Sequence, residues 1–386
     1  MPAINVGYLP QEPALDAAKT VREEVEAARS DVEEAKKQLD AVYAAYSEEG
    51  ADFDKLAAEQ ARLEAIVNGA GGAKWMPGQF GLEKDGTPGA IYKIDGKTGA
   101  VSLFANVKFD DRDNAGPGLG NISFDRKTQQ LFVSDLETGR IHRITPDGKE
   151  RDVFDHGMVG RKAQGLEPVP FDSSRRMDIT SPAFNAEDIA TWGFADERRR
   201  VFGLAVSAGR LYYSVAEGAS VWSVSIDDEG DFGADARIEL EIGKAYPGTN
   251  ITDIVFDGNG MMYLSQRGVA SGSYDYAKLA SPQQAFVVRY GWDEKEGRWA
   301  AKPQEYAIGL AKEHNATLGG IALNYGYDKN GNINYSACRQ TLWSTGEHLR
   351  EGEDVSRVSL GGAKIVHGLQ GHYKSRVRPD NEPPDR

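Results

Sequence analysis

Five side chains with hard oxygen donors fall where short apolar strands begin or turn. Asn121, Asn250, Asp253 and Asn324 sit near strand entries, and Glu217 follows directly after a strand. Carboxylate and carboxamide oxygens are the ligands that Ca2+ or Mg2+ takes, and a cation held by them could orient a substrate and polarise its carbonyl. The plainer use of Asn and Asp at such places is to cap turns and satisfy strand-end amides. Both uses stay open on the sequence.

Other chemistry is poorly supplied. Asp110-Asp111-Arg112-Asp113-Asn114 lacks the alternate spacing, central glycine and closing glutamate of a calcium loop, so it reads as a solvated acidic loop. Cys338 is the only cysteine, which excludes an intramolecular disulfide and a cysteine-built metal site. No histidine with an orienting partner stands near it, so it reads as a small half-buried residue rather than a nucleophile. The six histidines are scattered: His142 is mid-strand, and His367 and His372 have no acidic partner nearby in sequence. The run Arg198-Arg199-Arg200 reads as a solvated loop. With a net charge of -14, binding nucleic acid through its phosphates is not expected.

No apolar run approaches the ~20 residues of a membrane helix, and the first residues lack the basic and apolar regions of a signal peptide. The expectation is a cytoplasmic chain that contacts no membrane, with the sequons at Asn121, Asn250 and Asn315 accidental.

The elements that must position the oxygen donors are short strands separated by tight turns. Residues 118–154 read as four of them: Asn121–Asp125, Gln130–Ser134, Arg140–Thr145 and Glu150–Phe154, with turns at 126–127, 137–139 and 146–148. The same grammar returns over 203–242, 251–308 and, more loosely, 320–369, where Val355–Leu360 is the expected third strand. Residues 89–95 and 100–105 look like an outer pair without an inner one. Four-stranded repeats of this kind predict a mainly β chain, a β-propeller of about four to six blades over residues 80–372. The count leaves the ring open, and both ends of the chain read as truncated, as in a fragment or chimera. Exposed blade edges would then invite pairing. A capping insertion is expected over 157–200, carrying Met177, Phe184, Trp192 and Phe194, and a disordered tail over 373–386.

Ahead of the repeats lies a different pattern. Val21, Val25, Ala28, Val32, Ala35, Leu39, Val42 and Tyr46 alternate spacings of four and three, the seam of a helix that packs along another. Phe53, Leu56, Gln60, Leu63 and Val67 form a second seam after a short connection, so residues 1–68 predict an antiparallel helical hairpin. Its uncovered seam offers a route to self-association. Residues 69–79, rich in glycine, read as the linker.

Residues 4–68, including VGYLPQEPALDAAKTVREEVEAA, resemble part of the first nucleotide-binding domain of the ABC-F ATPases: the Q-loop followed by the arm helices. The resemblance implies that Gln11 corresponds to the Q-loop glutamine, which senses metal and γ-phosphate, and that ribosome association is an alternative role. A working nucleotide site is not expected. A P-loop needs Gly-x4-Gly-Lys-[Ser/Thr], and Ile91 stands where the first glycine would precede Gly96-Lys97-Thr98. Ser359-Leu360-Gly361-Gly362 is followed by Ala363 rather than completing a signature motif.

Residues 80–380 resemble gluconolactonase/senescence-marker and NHL-like propellers, and propeller regions of large bacterial surface proteins, with runs such as TWGFAD and LYYSVAEG. That resemblance implies relatives that are secreted or surface-located. In the lactonase class a Glu, an Asn and an Asp converge on one divalent cation, which makes Asn121, Glu217, Asn250 and Asp253 the candidate metal ligands here. The glutamate of the first lactonase inner strand has no counterpart. The expectation is therefore a non-catalytic protein- or ligand-binding propeller with a helical docking hairpin, needing no cofactor and taking a protein partner. The alternatives are a metal-dependent gluconolactonase-like hydrolase with one Ca2+ or Mg2+ in the channel, and an ABC-F-derived fragment without ATPase activity.

Overall fold

The computed structural model describes residues 30–45, 55–56, 59–60, 63, 89–109, 112–113, 118–175, 189–243, 245–246, 250–267, 284–310, 313–324, 326, 329, 334, 340–351 and 365–381. Gln11, Cys338 and the expected strand Val355–Leu360 lie outside them. The chain divides into two compact units: residues 1–76 with 94–100, and residues 77–93 with 101–386.

In the smaller unit Ser30–Ala45 is an α-helix, and Lys55, Leu56, Glu59, Gln60 and Leu63 are helical as well. Leu39 and Val42 from the first seam pack with Leu56 and Leu63 from the second, and Val42 and Leu63 are buried. Spacings of three and four put these side chains on one helical stripe, and mutual burial is what holds so short a segment helical.

The larger unit is mainly β. Among the described residues it has two four-stranded antiparallel sheets and one of seven strands, which divides at a single paired position into a four-stranded and a three-stranded part, called sheets three and four below. Sheet one comprises Leu119–Asp125, Gln130–Asp135, Arg140–Ile144 and Glu150–Asp155. Sheet two comprises Val201–Ser207, Arg210–Val215, Ser220–Ser225 and Arg237–Glu241. Sheet three comprises Asn250–Phe256, Met262–Arg267, Val287–Tyr290 and Gln304–Tyr306. In sheet four Thr317–Asn324 pairs with Thr341–Glu351, which pairs directly with Ile365–Tyr373. Sheets three and four share one paired position, Arg267 opposite Leu318. A separate ribbon, Ala90–Ile94 with Val101–Asn106, precedes them, and its Ile91 and Phe104 pack with Leu131, Val133 and Ile144 of sheet one.

The turns explain why the chain reverses where it does. At Gly148 φ is +80° and an added Cβ would stand 2.0 Å from the Phe104 carbonyl oxygen, so both the left-handed turn and the close approach require glycine. Between sheets one and two the core is aromatic: Phe132, Phe154, Tyr213 and Trp222 are buried together, with Phe132 and Phe154 each 5.4 Å from the Phe232 ring. Each buried aromatic of this kind contributes roughly 1.5–3 kcal/mol.

The first strands of all four sheets line one cavity, the arrangement of propeller blades about a channel. Each inner strand slips register once: between Leu119 and Ile122, opposite Tyr213–Val215, between Ile251 and Asp253, and between Thr317 and Ile321. A bulge removes an N–H from the ladder, and a hydroxyl on the neighbouring strand replaces its partner. Asn121 N donates to Ser134 Oγ at 2.8 Å and Gly203 N to Ser214 Oγ at 2.8 Å. Gly320 N donates to Thr345 Oγ1 at 2.9 Å.

Two expectations are corrected. Arg199 is not solvated: it is 1% exposed, with its guanidinium on both Asp155 oxygens at 3.0 and 2.9 Å, on Thr138 O at 2.7 Å and on Val169 O at 2.5 Å. A run of arginines can be buried when each N–H finds an oxygen. Nor is the whole stretch from 373 a disordered tail. Tyr373 ends a strand, Lys374 Nζ bonds Asp257 Oδ2 at 2.8 Å, Arg378 N donates to Glu305 O at 2.8 Å, and Asn381 is buried against Ala307. Charged residues that read as solvated thus pair with oxygens around sheet three. Within 157–200 the described residues lie against the first two sheets: Ala195 N donates to Leu136 O at 2.9 Å, and Gln164 Nε2 to Ala236 O at 2.9 Å.

Candidate functional site

Asn121 and Asp253 both sit at inner-strand bulges, 132 positions apart in sequence, and the bulges bring them together: Asn121 Nδ2 donates to Asp253 Oδ1 at 3.2 Å. Asp253 Oδ1 also accepts from Ile254 N at 2.9 Å, and Oδ2 from Ile321 N at 2.9 Å. Sheet two reaches the same point through Gly203, whose added Cβ would lie 3.0 Å from the Asp253 Cα. A side chain at 203 would make this contact tighter than ordinary packing and require the Asp253 backbone to give way. Asp253 is therefore the meeting point of four sheets.

The cavity at this point measures ≈560 Å3. Asn121, Ser123 and Asp253 supply its polar side chains, while Ile122, Phe124, Val206 and Phe256 are among its apolar ones. Among the described lining residues Asp253 is the one that ionises. Burial pushes its carboxyl up to about 6; the N–H donors of Ile321, Asn121 and Ile254 pull the other way without cancelling that cost. The hydrogen-bond partners of Asp253 are one amide and two backbone N–H groups, none carrying positive charge.

The other expected donors are placed elsewhere. Glu217 starts a short 3-10 turn after the second strand of sheet two and is ion-paired with Arg161. Asn250 opens the inner strand of sheet three opposite Arg267. Asn324 closes that of sheet four, its Oδ1 accepting from Gly326 N at 3.0 Å. Among the described residues no three His, Cys, Asp or Glu side chains stand close enough to hold a metal ion. Asn121 turns its amide nitrogen to Asp253, and both Asp253 oxygens accept N–H bonds, so the residues present supply one carboxylate of a divalent-cation site and an amide beside it.

Two titratable groups outside the cavity went unread in the sequence. His142 is buried between Glu150, whose Oε2 lies 2.6 Å from Nδ1, and Asp135, whose Oδ2 lies 3.6 Å from Nε2. Burial alone would lower its pKa, but the Asp135 carboxylate beside it and the bond to Glu150 prevail and hold it up at about 9. His156 is pushed down to about 3 by burial and by the Arg161 and Arg199 charges; its Nδ1 is 3.1 Å from Tyr213 OH and its ring packs edge-on to Trp222. The His142 partners alternate on neighbouring strands, a signal visible once the register is known.

No family model matches the chain. Over 66 residues it is 62% identical to the energy-dependent translational throttle protein EttA of Haemophilus influenzae, and 61% to that of Escherichia coli K12. Each match covers 17% of this chain and 12% of that protein, so the chain spans about an eighth of the length of these relatives. Over 103 residues it is 30% identical to the diisopropyl-fluorophosphatase of Loligo vulgaris, covering 26% of this chain and 32% of that one. Among solved structures it is similar to the calcium-binding protein regucalcin of Agrobacterium tumefaciens: TM-score 0.41, 15% identity, 80% of this chain and 78% of that chain. Virginiamycin B lyase of Staphylococcus aureus aligns at TM-score 0.34 and 11% identity over 67% of this chain and 57% of its own. The two resemblances read from the sequence, to ABC-F ATPases and to gluconolactonase/senescence-marker-like propellers, are both found. Among the described residues no helix is long and apolar enough to cross a membrane.

Proposed function

We propose that the chain is a ligand-binding β-propeller module whose site is the channel around Asp253 and Asn121, joined to a helical docking hairpin at residues 1–68 that takes a protein partner. The observation that carries this reading is Asp253: a largely buried carboxylate at the junction of four sheets, bordering a cavity, with no cationic side chain among the described residues bonded to it. An uncompensated charge in such a place gains most from a ligand that brings the opposite charge. Titration calorimetry with CaCl2, MgCl2 and a set of small organic cations tests it. Saturable binding that Asp253→Asn removes is expected; no heat from any of these probes overturns the reading.

A second reading, a metal-dependent hydrolase, is favoured by the contact between Asn121 and Asp253 and by the likeness to diisopropyl-fluorophosphatase. Asn121 and Asp253 would hold the cation, which would polarise a carbonyl or phosphoryl oxygen. Cation-dependent turnover of a lactone or fluorophosphate panel would establish this reading over the first. Co-sedimentation with ribosomes that is lost when residues 1–68 are deleted would instead support the ABC-F-derived role.

A further inference from the structure

Asp253 has used most of its hydrogen-bonding capacity and none of its charge. A carboxylate offers about four lone-pair positions, two on each oxygen. Asn121 Nδ2 and Ile254 N take those on Oδ1, and Ile321 N takes one on Oδ2. A single acceptor position is left, on Oδ2. All three partners are neutral, so the negative charge stands uncompensated where burial makes it costly.

The cavity selects among cations by charge, by bonding and by size. Asp253 is the one ionisable side chain among the described lining residues, so it balances one positive charge and leaves a second unmatched. Bonding points the same way. Ca2+ takes about 6–8 oxygen ligands and Mg2+ a near-ideal octahedron of them. Here Asn121 presents its N–H to the carboxylate, and among the described residues no three His, Cys, Asp or Glu side chains gather to add oxygens. An ammonium group has three N–H donors; one suits the open position on Oδ2, and backbone carbonyls suit the others. Residues 120–124, 204–206 and 253–256 line the cavity as unbroken runs. Among the described residues these three inner strands pair on one side only, so each has an edge with unpaired C=O groups.

The volume of ≈560 Å3 lies within the roughly 300–1,000 Å3 of small-molecule sites, far more than a bare ion fills. Ile122, Phe124, Val206 and Leu323 border it with apolar side chains. Ile122 and Phe124 are each 49% exposed, surface that an apolar ligand body would take out of water. The face of the Phe124 ring also attracts a cation lying within about 6 Å.

We infer that the ligand class of this channel is a primary ammonium on an apolar body, an alkyl- or arylalkylamine whose charge meets Asp253 and whose body covers Ile122 and Phe124. The inference rests on the reading of the channel as a cation-binding site and narrows it from cations in general to this class.

Titration calorimetry on the full chain at neutral pH tests it, with phenethylamine hydrochloride, ethylamine hydrochloride, phenethyl alcohol and CaCl2 as probes. Saturable binding of phenethylamine is expected. Ethylamine has the charge without the body and phenethyl alcohol the body without the charge, and each should bind about tenfold more weakly or less. Asp253→Asn should weaken phenethylamine by about tenfold or more and Phe124→Ala by about threefold or more, with near-ultraviolet circular dichroism checking that both variants are folded. The comparison among probes needs only the wild type, so it decides the matter even where a variant fails to fold. Phenethylamine bound no more tightly than ethylamine or phenethyl alcohol overturns the inference. Binding of CaCl2 that depends on Asp253, with none of phenethylamine, also overturns it and leaves the channel a cation site. No saturable binding of any probe removes both readings together.

Discussion

Asp155 and Asp253 are carboxylates held inside the same β unit, and their surroundings are opposite. Asp155 faces Arg199, whose guanidinium grips both oxygens, and Arg140 stands 3.4 Å away. It also accepts from Met158 N at 3.1 Å. Among the described residues Asp253 is bonded only to neutral N–H donors, and it borders a cavity. The first arrangement is complete without any other molecule, as a structural ion pair must be. The second is satisfied in hydrogen bonds and unsatisfied in charge. That difference separates a residue that holds sheets together from one that can hold a ligand.

The comparison breaks first, and most heavily, at Arg199. Arg199→Ala leaves Asp155 partly buried without its cation and should cost about 3–5 kcal/mol in denaturant unfolding. A loss below about 1 kcal/mol would mean that the pair is not structural. His142 comes next. Its pKa is raised from 6.5 to about 9, so its contribution is fully present below 6.5 and is lost as pH rises through 9. That loss should be on the order of 1–3 kcal/mol, and His142→Gln should flatten the alkaline limb of a stability-versus-pH curve. A curve identical to wild type would show that Glu150 and Asp135 do not hold a charged ring.

Gly203→Ala pushes a methyl against the Asp253 backbone and should destabilise by about 1–3 kcal/mol, with weaker ligand binding in calorimetry because the carboxylate moves. The smallest effect on stability belongs to Asp253→Asn, which can keep the Ile254 and Ile321 donors and removes the charge; a change within about 1 kcal/mol at pH 7 is expected, with binding lost. The pH dependence sharpens the point. The native carboxyl holds its proton up to about 6, the unfolded one to near 3.8. Between those values the native state binds more protons, so this group makes wild-type stability fall as pH rises from about 4 to 6. The Asp253→Asn variant should lack this slope. If it were instead much less stable at every pH, Asp253 would be a structural pin like Asp155.

The sequence made the repeats legible because turns are local. The strand pairs of sheets one and two fall within a residue or two of where Gly139, Gly148 and Gly209 place the reversals. Asn121 and Asp253 were legible as oxygen donors near strand entries, but not as neighbours, since their contact depends on two bulges and on Gly203 beneath them. Glu217 read as a free donor because Arg161, 56 positions away, carries no local mark of being its partner. Arg199 read as solvated because hydropathy assigns arginine to water, and only tertiary structure supplies carbonyls for its N–H groups. Ser134, Ser214 and Ser265, which bond Phe202 O, Ile251 O and Thr317 Oγ1 on the inner strand of the next sheet, carry no local mark of those partners. A hydroxyl on an apolar strand looks like noise until the next sheet's inner strand is seen beside it.

The same serines give assembly of the unit a direction. Ser134 accepts from the sheet that holds it and donates to an inner strand that the ribosome has yet to make, and Ser214 repeats the relation. Each sheet closes on contacts near in sequence, which form fast, and then offers a ready docking point for the one that follows. Growth from the N-terminus can therefore proceed one sheet at a time, and translation itself sets the order in which the channel is walled.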